Sequence, residues 1–284
     1  MPQSDPKLLV STEWLADHLS APDVKVLDAS MFLPGDPRDA KATYAETHIP
    51  GAIFFDIDEM SDKSNPLPHM LPPPEKFISR IRKMGIGDGH RVVVYDQDGL
   101  FSAARVWWMF RVFGHDDVAV LDGGLPKWLA EDRATDDEEP MLRERHFTGR
   151  KNASMVRDVT QVAASLKVGE EQIVDARGPG RFRGEEEEPR AGLRAGHIPG
   201  AKNVPYASLL NDDKTMKSVE ETKALFEAAG VDLDKPIITS CGSGVTACIL
   251  ALSLERLGHA KNAVYDGSWV EWGSYPDLAI ETGA

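Results

Sequence analysis

Ile237-Ile238-Thr239-Ser240-Cys241-Gly242-Ser243-Gly244-Val245-Thr246-Ala247-Cys248 is the stretch on which the reading of this 284-residue chain turns. The apolar, β-branched run up to Ser240 predicts a buried strand. Such a strand delivers Cys241 to the carboxyl edge of a sheet, where open α/β folds place their sites. Two glycines then let the backbone curl, and a helix is expected from Val245 or Thr246. Successive loop N–H groups and the helix N-terminus would point at the cysteine sulfur. That cradle favours the thiolate and is expected to lower the thiol from its reference pKa of about 8.5. The hydroxyls of Ser243 and Thr246 add neutral donors, giving a nucleophile site built largely of main chain. A lone cysteine at a strand end can equally be a small buried hydrophobe; the Gly-x-Gly loop and the helix start weigh toward chemistry. Cys248, seven residues on and within the expected helix, reads as core. The loop is no dinucleotide fingerprint, because the third glycine and the downstream acidic partner are missing.

Outward from this loop, the chain repeats itself. His48-Ile49-Pro50-Gly51-Ala52 recurs as His197-Ile198-Pro199-Gly200-Ala201, an offset of 197 − 48 = 149. Val26-Leu27-Asp28-Ala29 has its counterpart in Val174-Asp175-Ala176. Val92-Val93-Val94-Tyr95-Asp96 matches Ile237-Ile238-Thr239-Ser240-Cys241 at an offset of 145, while Gly114-His115, Gly123 and Trp128 match Gly258-His259, Gly267 and Trp272 at 144. This period is far longer than the ~20–50 residues of solenoid repeats and marks a duplicated domain. Each copy alternates short apolar strands with apolar helices, so the fold class is α/β, with a mostly parallel sheet flanked by helices in each copy. The copies are expected at 8–133 and 156–283. Residues 134–155, with the acidic run Asp136–Glu139 followed by Pro140, read as the linker. Four of the eight histidines (His48, His197, His115 and His259) fall at repeated scaffold positions, which argues against a metal role for them. Trp107-Trp108 lies in an apolar helix and reads as core.

Composition sets the outer limits. Hydrophobic residues make up 42% and charged residues 27%, which fits a soluble globular chain and excludes a disordered or fibrous one. Net charge is −14, a field that repels nucleic acid and anionic membrane. An anionic substrate therefore needs a local arginine cluster. Two cysteines make neither a disulfide scaffold nor a zinc pattern, and suit a reducing compartment. The N-terminal stretch has no cationic region followed by an apolar one, and no apolar run approaches the ~20 residues of a membrane span. A cytoplasmic location is expected.

Cys-Gly-Ser-Gly-Val-Thr, the two HIPGA turns, the Asp-Gly-Gly and Asp-Gly-Ser turns, and the duplication resemble the tandem rhodanese-like sulfurtransferases over about residues 8–283. Among them, the chain is most similar to the 3-mercaptopyruvate-using members. Thiosulfate-using members carry basic residues after the loop cysteine, where this chain has Gly242 and Ser243. The resemblance implies that sulfur passes from 3-mercaptopyruvate to Cys241 as a persulfide and on to a thiol such as thioredoxin, or to cyanide, with release of pyruvate and without a cofactor or metal. It also implies that the first copy, with Asp96 at the cysteine position, is inactive, since a carboxylate cannot accept a sulfane sulfur.

By the same resemblance, Arg181 and Arg190 align with substrate-binding arginines, and a guanidinium fork suits the donor carboxylate. Spacing alone leaves them to neutralise Glu185–Glu188 on the surface. Arg177 and Arg183 are weaker candidates. Gly242, Gly244 and Val245 complete the loop around the donor. Asp58 and His69 match positions that move a proton with the loop serine, here Ser243; a structural histidine in a Pro-rich loop is the plainer alternative. Two rival activities share the loop: thiosulfate transfer, and a non-catalytic persulfide carrier or redox module. A cysteine phosphatase would need an arginine closing the loop, where Ala247 stands.

Overall fold

The computed structural model describes residues 7–283. Its strands form two five-stranded sheets, each parallel throughout. In the first, β1 (Leu9–Val10), β2 (Val24–Asp28), β3 (Ile53–Phe54), β4 (Arg91–Tyr95) and β5 (Val118–Leu121) are ordered β1-β5-β4-β2-β3. In the second, β6 (Val156–Arg157), β7 (Gln172–Asp175), β8 (Lys202–Asn203), β9 (Ile237–Ser240) and β10 (Asn262–Tyr265) are ordered β6-β10-β9-β7-β8. The two orders are the same topology, so the duplication read from sequence is a duplication of fold.

The central strand of each sheet explains its residue choice. β4 and β9 have neighbours on both sides and helices over both faces, so Val92 to Tyr95 and Ile237 to Ser240 are all buried. β-Branched residues suit that setting because their stiff side chains pack on a pleated surface. The helix after each central strand, Ala103–Val112 or Ala247–Arg256, is apolar nearly all round and correspondingly buried. Helix Val219–Ala228 is set by chain-end chemistry instead: Ser218 and Glu221 form a capping box.

The chain divides into two compact units. The first gathers the chain up to Ser64, Leu71–Asn152 and the hexapeptide Asn211–Met216; its core includes Val93, Tyr95, Leu121 and Trp128. The second gathers Asn65–Met70, Ala153–Leu210 and the chain from Lys217 onward, with Ile238, Tyr265, Trp269 and Trp272 in its core. The two displaced hexapeptides are repeat equivalents, since 211 − 65 = 146 and 216 − 70 = 146. Each presents one non-glycine residue in the left-handed region, His69 at φ 61° and Lys214 at φ 67°.

Residues 134–155, expected as a linker, are mostly packed. Up to Asn152 they belong to the first unit. Phe147 is fully buried beside Phe77 and Phe110, and its carbonyl accepts from Arg82 Nε at 3.1 Å and Nη2 at 3.0 Å. Arg150 and Asn152 donate their N–H groups to the Phe113 and Val112 carbonyls. The approach is close enough that a Cβ at Gly87 would stand 2.7 Å from the His146 carbonyl oxygen. The acidic, Pro-containing start of the segment is exposed, as its composition implies, but the remainder is a strap laid on the first unit.

The scaffold histidines behave as the repeat implies. His48 stacks on Tyr44 and His197 on Phe182, and the Nδ1 of each lies 2.8 Å from the carbonyl oxygen of the residue it stacks on. Trp107 and Trp108 are core.

Candidate active site

Cys241 follows the central strand β9 and is 2% exposed. Its carbonyl accepts the Trp269 N–H at 3.0 Å, and its own N–H donates to Ser268 Oγ at 3.1 Å. Ser268 also donates to the Tyr265 carbonyl at 2.8 Å. It does so from φ 49°, a left-handed conformation rare for a non-glycine residue; the first copy has Gly124 there, at φ 54°. The loop then turns at Gly244, φ 77°, and the helix starts at Ala247 with Thr246 at its N-cap position. Val245 and Thr246 are buried, and their carbonyls accept the Cys248 and Ile249 N–H groups at 3.1 and 3.0 Å. Cys248 is fully buried, and its thiol donates to the Gly244 carbonyl at 3.3 Å. Sequence reasoning placed it in the core but not on the loop.

What this loop can hold is displayed by its counterpart. In the first unit Asp96 is 1% exposed and its carboxylate sits inside the equivalent loop. Oδ2 accepts from the N–H groups of Phe101 at 2.8 Å, Ser102 at 2.9 Å and Ala103 at 2.8 Å, and Oδ1 from Asp98 N–H at 3.0 Å. Burial pushes this carboxyl up, while the N–H groups of Ala103, Phe101 and Ser102 pull it down. The loop at the head of this helix is therefore an anion cradle made of main chain. At the offset of 145 the same positions in the second copy are Ser243, Thr246, Ala247 and Cys248, surrounding Cys241.

His69 reaches this loop. Its Nδ1 lies 3.0 Å from Ser243 Oγ, and both residues are buried in the second unit. Arg181 reaches it too. Its Nη2 contacts Glu188 Oε2 and would stand 2.9 Å from a Cβ at Gly242. Arg177, by contrast, is structural: its side chain is 1% exposed and is gripped by Asp175 at 2.8 Å, Glu188 at 2.6 Å and the Gly196 carbonyl at 2.8 Å. Burial works against its charge, and Asp175 and Glu188 more than reverse that. Arg183 pairs with Glu185 in solvent, the surface neutralisation that spacing alone implied. Arg190 is half-buried, two residues beyond Glu188.

Asp58 belongs to the first unit. It is exposed in the first turn of helix Ile57–Met60, on the wall of a cavity of about 260 Å³ that Asp36, Arg38 and Asp56 also line. Among the described residues no group of three or more His, Cys, Asp or Glu side chains could hold a metal ion, and no helix is long and apolar enough to cross a membrane.

Two copies of a parallel α/β sheet, one presenting a cysteine at the head of a helix and the other a carboxylate in its place, define a tandem protein with a single cysteine-nucleophile site. The family described as Rhodanese-like domain matches residues 11–131 and 158–275, and the chain belongs to it. It is 44% identical to the 3-mercaptopyruvate sulfurtransferase of Escherichia coli (strain K12), covering 96% of this chain and 97% of that one. It is also 45% identical to the thiosulfate sulfurtransferase of Bos taurus, over 94% and 92% of the two chains. The crystal structure of SseA from Escherichia coli, described as a 3-mercaptopyruvate sulfotransferase, superposes with a TM-score of 0.85 at 43% identity, covering 92% of this chain and 98% of that one.

Proposed function

We propose that the protein is a 3-mercaptopyruvate sulfurtransferase that works through a Cys241 persulfide. The observation that carries this reading is the pairing of an anion-holding main-chain loop around Cys241 with one guanidinium, Arg181, against Gly242. Relatives of both donor specificities match the chain, so the choice of donor rests on chemistry. Thiosulfate is a dianion whose leaving sulfite wants cations in the loop itself, but Gly242 and Ser243 are uncharged. A keto acid needs its cation further out, at its carboxylate.

The Cys241 thiolate attacks the sulfur of mercaptopyruvate while Arg181 and Arg190 hold the carboxylate. The sulfur–sulfur bond forms as the carbon–sulfur bond breaks, and that electron pair leaves as the pyruvate enolate. The enolate carbon takes a proton delivered through Ser243 and His69, with Asp58 assisting. The N–H groups of the loop and helix start stabilise the persulfide, and Thr246 adds a hydroxyl beside it. A thiol, such as that of thioredoxin, or cyanide then removes the outer sulfur and regenerates the thiolate. No step calls for a cofactor. Both cysteines are free, which accords with a reducing, cytoplasmic setting.

Mass spectrometry of the protein mixed with 3-mercaptopyruvate tests this. One sulfur on Cys241, pyruvate release over many turnovers, a higher kcat/KM than with thiosulfate and loss of all three in Cys241→Ser are expected. A Cys241→Ser variant of unchanged fold that still turns over refutes it. Sulfur loading without multiple turnover would favour the carrier reading.

A further inference from the structure

Glu185–Glu188 read as a solvated acidic run, yet the side chain of Glu188 is only 3% exposed. Its two oxygens are divided between two arginines. Oε1 accepts from Arg177 Nη1 at 2.6 Å, and Oε2 accepts from Arg181 Nη2. These two ends differ in rigidity. Arg177 is locked by Asp175, by the Gly196 carbonyl and by the Trp269 ring 4.4 Å beneath its guanidinium, whereas the Arg181 side chain is 22% exposed and stands at the cysteine loop. Trp269 in turn donates its N–H to the Cys241 carbonyl. A continuous series of contacts thus runs from the nucleophile's backbone through Trp269, Arg177 and Glu188 to Arg181 and back to Gly242.

The copy without the nucleophile lacks this series. Asp28 and Asp175 are equivalent, and each accepts the N–H two residues on, but that residue is Ser30 in the first copy and Arg177 in the second. A buried carboxylate close to where an anion must bind is unfavourable unless its charge is taken up, and here Arg177 takes it up. An arginine side chain free to sample rotamers loses ~2 kcal/mol of entropy when it is fixed, so fixing it beforehand strengthens the binding of whatever it contacts. Glu188 occupies one arm of the Arg181 fork, Nη2; Arg181 Nε is buried with no hydrogen-bond partner.

We infer that Glu188 is a positioning residue, which fixes Arg181 against Gly242 so that the rest of its guanidinium edge meets the donor's carboxylate. The inference rests on the reading of Arg181 as a carboxylate binder. Glu188 touches neither donor nor sulfur, so its removal should weaken donor binding while leaving the chemical step intact.

The test is steady-state pyruvate release from 3-mercaptopyruvate by wild type, Glu188→Gln and Glu188→Asp, with active sites counted by sulfur loading of Cys241. For Glu188→Gln, KM is expected to rise by about tenfold or more, with kcat per loaded site within about threefold of wild type. Glu188→Asp keeps the charge but is too short to span both arginines, and a smaller rise in KM is expected. It decides the matter if the glutamine variant fails to fold. Unchanged KM in the folded variants, with only the loaded fraction falling, would show a purely structural residue and overturn the inference. A wild type that releases no pyruvate would instead overturn the donor reading, and this inference with it.

Discussion

His69 Nδ1 and Ser243 Oγ stand 3.0 Å apart although 174 positions separate them in the chain. His69 holds that place from φ 61°, in the left-handed region where asparagine is tolerated better than most residues. A hydroxyl bonded to an imidazole can pass a proton that neither could pass alone. If the pair serves one proton transfer, His69→Asn and Ser243→Ala should each slow the pyruvate burst by about a hundredfold. The double variant should fall little further, because the two act as a unit. Rapid-quench measurement of the first turnover decides it. Multiplicative losses would separate the two residues.

Ser268 accepts the Cys241 N–H from a backbone conformation that costs about 1–3 kcal/mol in a non-glycine residue. Replacing it with glycine relieves that strain but leaves Cys241 N–H and the Tyr265 carbonyl without their partner, a loss of similar size. Ser268→Gly should therefore melt near wild type. Ser268→Ala, which loses the bonds and keeps the strain, should be less stable by roughly 2 kcal/mol. Both should load sulfur several-fold more slowly, since the backbone carrying the nucleophile is no longer held. Equal stability of the alanine and glycine variants would remove the strain from this account.

Much of the architecture was legible because the chain states it twice. β2 and β5 match their β-branched runs, and the Cys241 loop lies between its strand and helix as the glycines imply. The two-residue strands β1, β3, β6 and β8 were illegible, because two residues show no alternation. The Ser243–His69 contact was unreadable for a different reason: closure over 174 residues leaves no local pattern. Composition misled in two places. A run of four glutamates implies solvent, yet Glu188 is buried by two arginines whose positions only the fold reveals. An acidic, proline-bearing segment implies a loose linker, yet Phe147 anchors it to the first unit.

Glu271 offers a pH test in the second unit. Burial raises its carboxyl above the ordinary 4.5, more than the hydrogen bond from Tyr265 lowers it, and Asp158 and Asp266 add to the rise. A raised folded-state pKa means the folded protein holds this proton more tightly than the unfolded chain. Stability from the protonated form is complete below pH 4.5 and is lost as pH climbs through the folded value. Glu271→Gln keeps the acceptor for Tyr265 and cannot ionise. It should match wild type in urea unfolding at pH 4 and exceed it increasingly toward about pH 7.5. A gap that widens toward low pH instead would reverse the sign and discard the account.

Asp96 shows why the first copy keeps its cradle without keeping the chemistry. Four main-chain N–H groups converge on its carboxylate, three of them from Phe101, Ser102 and Ala103 at the start of a helix. In the second copy the equivalent loop can leave its donors to a sulfur that comes and goes. The first copy has no such guest, so a built-in anion satisfies them. Asp96→Ala should therefore cost roughly 2–4 kcal/mol in unfolding experiments, since buried donors lose their acceptor. Cys241 in the folded fraction should still load one sulfur. Asp96→Cys places a thiol in the first cradle, but without an arginine at Ser30, and with Lys214 against Gly99. Mass spectrometry of that variant after 3-mercaptopyruvate should still find a single sulfur per chain, on Cys241. A second sulfur on residue 96 would show that the cradle alone suffices for transfer, and that the arginine and histidine of the second unit are dispensable.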